Sequence, residues 1–161
     1  MMFRQAKQEE IEELFREGYK VWHKGRTLAK YCSDNAKEDA YGTRYVIEEN
    51  GVLVSSLILL RLKHFHDCKV YGIGSVLTPE PHKHRGYASA LIKNCLEQIT
   101  DSNAITFLYS EVSPSFYERF QFRVLPSNLQ KDANSICMGL CSDVIWQHVL
   151  SATIEMIPDH F

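Results

Sequence analysis

The sequence predicts a mixed α/β fold, a largely antiparallel sheet flanked by helices. Three observations predict it. Asn50-Gly51 divides two β-rich runs, "TRYVIEE" and "VLVSSLILL", which is the pattern of a two-residue hairpin turn. The run "KVYGIGSVLT" is followed by a turn, an amphipathic segment "GYASALIKNCLEQI" and the apolar run "AITFLYSE", as in a β-α-β crossover. Helix and strand periods alternate along the chain without a repeat, a low-complexity tract or a linker, so its 161 residues are expected to form one domain, 1–161.

The elements follow in order. "MFRQA" reads as a short first strand. In "QEEIEELFREGYKVW", Ile11, Leu14, Phe15, Gly18 and Trp22 recur at helical spacing, with acids near the start as the helix dipole prefers. "HKGRTLAKYCSDNAKEDAYG" is polar and irregular and reads as a loop containing a short helix. The Asn-Gly hairpin comes next, then a second hairpin turning near 64–67. Gly72 and Gly74 weaken the strand that follows and suit a place where a ligand or another backbone comes close. The helix after it carries Leu91, Ile92, Cys95, Leu96 and Ile99 on one face. "PSFYERF" reads as a short helix entered through Pro114. "FRVLP" and "NSICMGLC" read as late strands, and "DVIWQHVLSATIEMI" as a C-terminal helix capped by Asp143.

Composition narrows the function classes. A hydrophobic fraction of 45% in a chain of this length supports a full core. A formal net charge of −2 argues against general nucleic-acid binding. No apolar run is long enough for a membrane span, and the N-terminus lacks a signal-peptide pattern. Five cysteines at irregular spacings are not a disulfide framework, so a reducing, cytoplasmic setting is expected.

The chemistry concentrates in "VLTPEPHKHRGYASALI". A strand ends, the chain turns basic, and a helix opens after Gly86. Helix N-termini present unpaired N–H groups and a partial positive charge, and so favour phosphate. Gly86 allows close backbone approach, Ala88 is small, and Lys83 and Arg85 add charge. The triphosphate motif G-x-x-x-x-G-K-[ST] and the dinucleotide motif G-x-G-x-x-G are both missing. The residues alone therefore point to a phosphate-bearing ligand without naming it.

"KHRGYA" resembles the acyl-CoA pyrophosphate loop of the GNAT acetyltransferases, written Q/R-x-x-G-x-G/A. Lys83 stands at the first position, Gly86 on the glycine and Ala88 on the last small residue. Downstream, "FYERFQF" resembles the family's L-Y-E-K-x-G-F signature, with Tyr117 on the tyrosine and Phe122 on the phenylalanine. Gln121 replaces the glycine, and Ser110 stands where many members carry a CoA-contacting asparagine.

The resemblance implies a GNAT-type sheet and direct acetyl transfer from acetyl-CoA to an amine. It implies that Val76, Leu77 and Thr78 pair with the pantetheine arm. It implies that backbone N–H groups of Lys83, His84, Arg85, Gly86, Tyr87 and Ala88 hold the pyrophosphate, with Ser110 nearby and Gly74 and Ser75 close to the thioester. Tyr117 would serve as general acid for the departing thiolate. The general base is open, with Glu111 the first choice and Glu80 and Tyr71 as alternatives.

Other readings stand beside this one. His64, His66 and Cys68 in "HFHDC" alternate as zinc ligands on a straight strand would, but a polar hairpin tip is the simpler reading and no metal is expected. Asp34, Glu38 and Asp39 carry charge that would attract a cationic amine. An acyl-CoA-binding regulatory module with little transfer activity is the alternative to an enzyme. The partner expected is an amine substrate, lysine-like by the resemblance of "FLYSEVSPSFYERFQFRVLPS" to fungal lysine acetyltransferases. A homodimer through the C-terminal segment is compatible with the sequence, which does not decide it.

Overall fold

A computed structural model describes residues 1–161. Backbone contacts group the chain into two compact units, Met1–Leu60 with Ser75–Ile99, and Arg61–Gly74 with Thr100–Phe161.

The first unit opens with strand β1 (Met2–Gln5), a 3-10 turn at Gln8–Glu10 and helix α1 (Ile11–Trp22). The turn is tied to the strand by Arg4, which donates to Glu10 at 2.7 and 2.9 Å and to Glu48 at 2.7 and 2.8 Å. The polar segment after α1 is more helical than its pattern suggests. Helix α2 (Leu28–Ala36) is followed by a 3-10 turn at Lys37–Ala40. Thr27 starts α2 by accepting from the Lys30 amide at 3.2 Å, and Thr27 was the available signal. Buried Tyr31 anchors α2.

Strand β2 (Gly42–Glu49) pairs antiparallel with β1 and with β3 (Val52–Phe65). Asn50 and Gly51 hold φ of 52° and 78°, as a type I′ turn requires. Strand β4 (Cys68–Leu77) follows a tight turn at His66, whose φ is 52°. Helix α3 (Tyr87–Glu97) buries Leu91, Ile92 and Cys95, as its apolar face predicts.

The second unit contains β5 (Ala104–Ser110), which runs parallel to β4 from Lys69↔Ala104 to Ile73↔Leu108. Helix α4 (Ser115–Glu118), the two-residue strand β6 (Arg123–Val124) and strand β7 (Ile136–Leu140) follow. β7 pairs antiparallel with both β5 and β6. Helix α5 (Asp143–Leu150) packs Ile145, Trp146 and Val149 into a core with Ile105, Phe107 and Leu129. The strand order is β1-β2-β3-β4-β5-β7-β6, a seven-stranded mixed sheet with one parallel crossover, β4-α3-β5.

Three details differ from the sequence reading. α5 is capped by Ser142, which accepts from the Ile145 amide at 3.3 Å, rather than by Asp143. The helix ends at Leu150, and only a 3-10 turn at Ile154–Met156 follows. Gly72 is approached by a side chain: a Cβ there would stand 2.7 Å from the Phe161 ring.

Candidate active site

In the first unit, the end of β4 departs from regular strand geometry. Its ladder with β5 stops at Ile73. Ser75 then takes φ of 49°, a left-handed value rare for a residue with a Cβ. Beyond it, Ser55 Oγ donates to the Leu77 carbonyl at 3.1 Å and lies 2.9 Å from Thr78 Oγ1. The Leu77 carbonyl is thus engaged by a side chain of β3, at the last residue of β4.

The basic turn follows a 3-10 segment at Glu80–His82. His84 and Gly86 both hold left-handed φ, 62° and 83°. Alternating left-handed residues curl the chain so that successive N–H groups face one concavity, the geometry that favours anions. Gly86 is the N-cap of α3 and supplies no side-chain cap. The amides of Tyr87 and Ala88, in the first helical turn, have no intrahelical acceptor. A Cβ built on Gly86 would meet nothing within 4 Å, so the approach is open. His84, Arg85 and Gly86 are exposed. Lys83 reaches back to Glu80 at 2.7 Å, an exposed pair that a phosphate can displace. This set of residues fits a pyrophosphate.

A cleft in the same unit was not foreseen. It is lined by Phe15, Tyr31, Asn35, Arg44, Ser56 and Ser75, with an open volume of about 300 Å³. Its closed part offers about 10 Å³, room for roughly one water. Buried Arg44 donates from Nε to Asp39 at 2.8 Å and from Nη2 to the Asn35 carbonyl at 3.2 Å, and its guanidinium lies 4.8 Å from the Phe15 ring centre. The signal was an arginine in the strand "GTRYVIEE" at the same alternation as inward-facing Val46.

In the second unit, Tyr117 lies in α4, 7% exposed, with edge-on contacts to Phe116 and Phe122 at 4.9 and 6.1 Å. Burial, with Glu111 adding to it, pushes its phenol up to about 12. Glu111 itself is exposed just beyond β5. Buried Ser110 donates its hydroxyl to the Val112 carbonyl at 2.7 Å, so its side chain is left with acceptor capacity only. Gln121, at the family's glycine position, holds φ of 75°.

The alternative bases are committed elsewhere. Tyr71 donates to Asp101 at 2.6 Å, and that bond, with burial, raises its pKa. The Lys83 hydrogen bond lowers the pKa of Glu80, which makes it a weaker base. In "HFHDC", the turn at His66 breaks the alternation, and Cys68 is buried with its thiol 3.3 Å from Asn103 Oδ1. No group of three or more His, Cys, Asp or Glu side chains is arranged to hold a metal ion. No helix is long and apolar enough to cross a membrane.

Comparison with known proteins places this geometry in context. The sequence profile of the acetyltransferase (GNAT) domain matches residues 2–125. No curated protein matches the chain by sequence. Among solved structures, a probable N-acyltransferase from Enterococcus faecalis V583 is 20% identical with a TM-score of 0.68 over 77% of this chain. This chain spans only 32% of that protein. An aminoglycoside 6'-N-acetyltransferase complexed with coenzyme A is 9% identical, with a TM-score of 0.67 over 87% of this chain and 96% of its own. The PaiA N-acetyltransferase of Thermoplasma acidophilum, in complex with coenzyme A, is 12% identical, with a TM-score of 0.63 over 88% of this chain and 98% of its own. The profile match covers most of the chain, and the chain belongs to the GNAT acetyltransferase family.

Proposed function

We propose that the chain is an acetyl-CoA-dependent N-acetyltransferase that moves an acetyl group directly from CoA to a primary amine, on a small molecule or a lysine-like side chain. The turn around Gly86 carries the reading. It combines left-handed backbone at His84 and Gly86, an uncapped helix start and open space above the glycine. The amides of residues 83–88 would hold the pyrophosphate, and Val76, Leu77 and Thr78 would meet the pantetheine arm. Structural neighbours described in complex with coenzyme A support the ligand.

Tyr117 is proposed to serve the departing sulfur. Burial keeps its phenol protonated, with a pKa of about 12. That exceeds a typical thiol pKa of about 8.5 by more than three units. The phenol therefore acts first as a hydrogen-bond donor that stabilises thiolate charge, and full protonation draws on protons released by the amine.

Thermal unfolding with and without acetyl-CoA, in wild type and Gly86→Glu, tests the reading. At a hundredfold excess over Kd, a native-state ligand adds about 2.7 kcal/mol, or roughly 5–10 °C for a chain of this size. We expect that shift in wild type and its loss in Gly86→Glu, which sets a carboxylate over the anion cradle. Thiol release with a panel of amines then measures transfer. Absence of a shift in folded wild type overturns acyl-CoA binding. A shift without transfer to any amine supports a regulatory acyl-CoA module instead, to which the donated hydroxyl of Ser110 lends some weight.

A further inference from the structure

Strand β3 contains the run "VLVSSLILL", apolar but for Ser55 and Ser56. Ser55 is 2% exposed. A hydroxyl in a core calls for partners, since a buried polar group without them is costly. Ser55 has two, and both lie where β4 ends, in the same unit of the chain. Its Oγ donates to the Leu77 carbonyl at 3.1 Å and lies 2.9 Å from Thr78 Oγ1. A serine hydroxyl has one proton to give. That proton is committed to Leu77, so Thr78 is the donor in the second bond. The groups form a one-way chain, from the Thr78 hydroxyl to the Ser55 hydroxyl to the Leu77 carbonyl.

The backbone of β3 is irregular at this place. In the ladder with β2, Glu48 is paired with Leu53 and Ile47 with Ser55, so Val54 is an extra residue. Such a bulge re-aims the side chains beside it and is favoured next to functional sites. The segment that Ser55 holds is constrained at both ends. Ser75 has the left-handed φ of 49°. Pro79, with its ring-fixed φ of −54°, leads into the 3-10 turn Glu80–His82. A strained residue such as Ser75 persists only where its surroundings over-determine the backbone. Ser55 supplies a fixing contact from the neighbouring strand, at the residues expected to meet the pantetheine arm.

We propose that Ser55 is a positioning residue for the pantetheine arm of acyl-CoA. It sets the direction of the Leu77 carbonyl and anchors Thr78, and so fixes residues 76–78 in the shape the arm meets. It acts through that backbone and bears on the arm, not on the pyrophosphate. The proposal rests on the acetyltransferase reading and adds to it a residue of β3, outside the two motifs that carry the family resemblance. Without the hydroxyl, the Leu77 carbonyl loses its partner and the Thr78 hydroxyl its acceptor. The segment gains freedom, which acyl-CoA has to remove on binding.

The test is calorimetric titration of wild type, Ser55→Ala and Ser55→Thr with two probes. One is acetyl-CoA; the other is 3'-phospho-ADP, the nucleotide half of CoA without the arm. In Ser55→Ala the Kd for acetyl-CoA should rise about tenfold, the upper range for one hydrogen bond, while that for 3'-phospho-ADP stays within about twofold. Ser55→Thr keeps the hydroxyl and should bind acetyl-CoA within about threefold of wild type. With an accepted amine, Ser55→Ala should raise KM for acetyl-CoA about tenfold and leave kcat within about twofold. An unchanged acetyl-CoA Kd in Ser55→Ala, with wild type binding normally, overturns the role of Ser55 and leaves acyl-CoA binding in place. An equal loss of both probes in Ser55→Ala marks general damage to the fold and also overturns it. So does an equal loss of acetyl-CoA in Ser55→Ala and Ser55→Thr, which marks packing rather than the hydroxyl. Failure of folded wild type to bind acetyl-CoA overturns the acetyltransferase reading, and this proposal with it.

Discussion

Replacing Gln121 by glycine should stabilise the protein. Gln121 follows α4 with φ of 75°, and its amide donates to the Glu118 carbonyl at 3.0 Å. A left-handed conformation costs a residue with a Cβ about 1–2 kcal/mol, because the Cβ crowds the backbone. Glycine escapes that crowding and keeps the backbone bond. It returns about 0.4–1 kcal/mol through the greater freedom of its unfolded chain. The Gln121 side chain is exposed, so little packing is lost with it, and the net gain is about 0.5–1 kcal/mol, or roughly 1–4 °C in Tm. Urea and thermal unfolding of wild type, Gln121→Gly and Gln121→Ala measure it. Alanine is the control, since it removes the side chain but keeps the Cβ, and it should leave stability near wild type. If alanine stabilises as much as glycine, or glycine not at all, the backbone explanation fails.

Two further predictions concern single side chains. Tyr117→Phe should keep Tm within about 1 °C, because the ring packs on Phe116 and Phe122, while kcat falls about a hundredfold if the hydroxyl has the proposed role at the sulfur; unchanged turnover in the folded variant would remove that role. Glu10 is held down to about 2, first by its hydrogen bonds from Arg4. A depressed carboxylate stabilises the fold above its unfolded pKa, and that contribution is lost as pH falls through the folded value. Wild type should therefore exceed Glu10→Gln by about 1–2 kcal/mol at pH 7, with the gap closing between about pH 4.5 and 2, as urea titrations at each pH would read. A gap that stays constant with pH would show that the Arg4 contact is not electrostatic in origin.

Much of the fold could be read from the sequence because local chemistry and tertiary role agree. Asn50-Gly51 specifies its own turn, and the apolar stripe of "GYASALIKNCLEQI" specifies which face α3 buries. The reading failed where a local signal was short or was overridden. α2 rests on one cap at Thr27 and one anchor at Tyr31, too little to stand out from a polar stretch. α5 stops at Leu150, although apolar residues continue at helical spacing, because the next segment is drawn into other contacts: the Lys131 ammonium donates to the Ile157 carbonyl at 2.6 Å, and Tyr109 donates to the Pro158 carbonyl at 2.6 Å. Burial on both sides of a pairing is a long-range property, and periodicity within one segment does not contain it.

The candidate site shows the same division more sharply. The residue types around Gly86 suit an anion-binding turn, but the conformations that shape the turn are carried partly by residues whose identity gives no sign of them. Of the six non-glycine residues with positive φ, Lys24, Asn50 and His66 sit at turns between elements, where left-handed backbone is ordinary. Ser75, His84 and Gln121 fall instead within the strand end, the basic turn and the aromatic segment that the family resemblance singles out. Each has a Cβ, and each is held about 1–2 kcal/mol above its relaxed state. Such strain persists only where the surrounding structure fixes it, and it gathers where a backbone must present its N–H or C=O groups in a set direction. Ser75 lies just past the end of the β4–β5 ladder at Ile73, and His84 lies in the turn before α3. A glycine at either place would relax the strain and also loosen the direction. Strained residues with side chains hold the chain in a shape that glycine would only permit, which is a physical reason for the two segments to keep them.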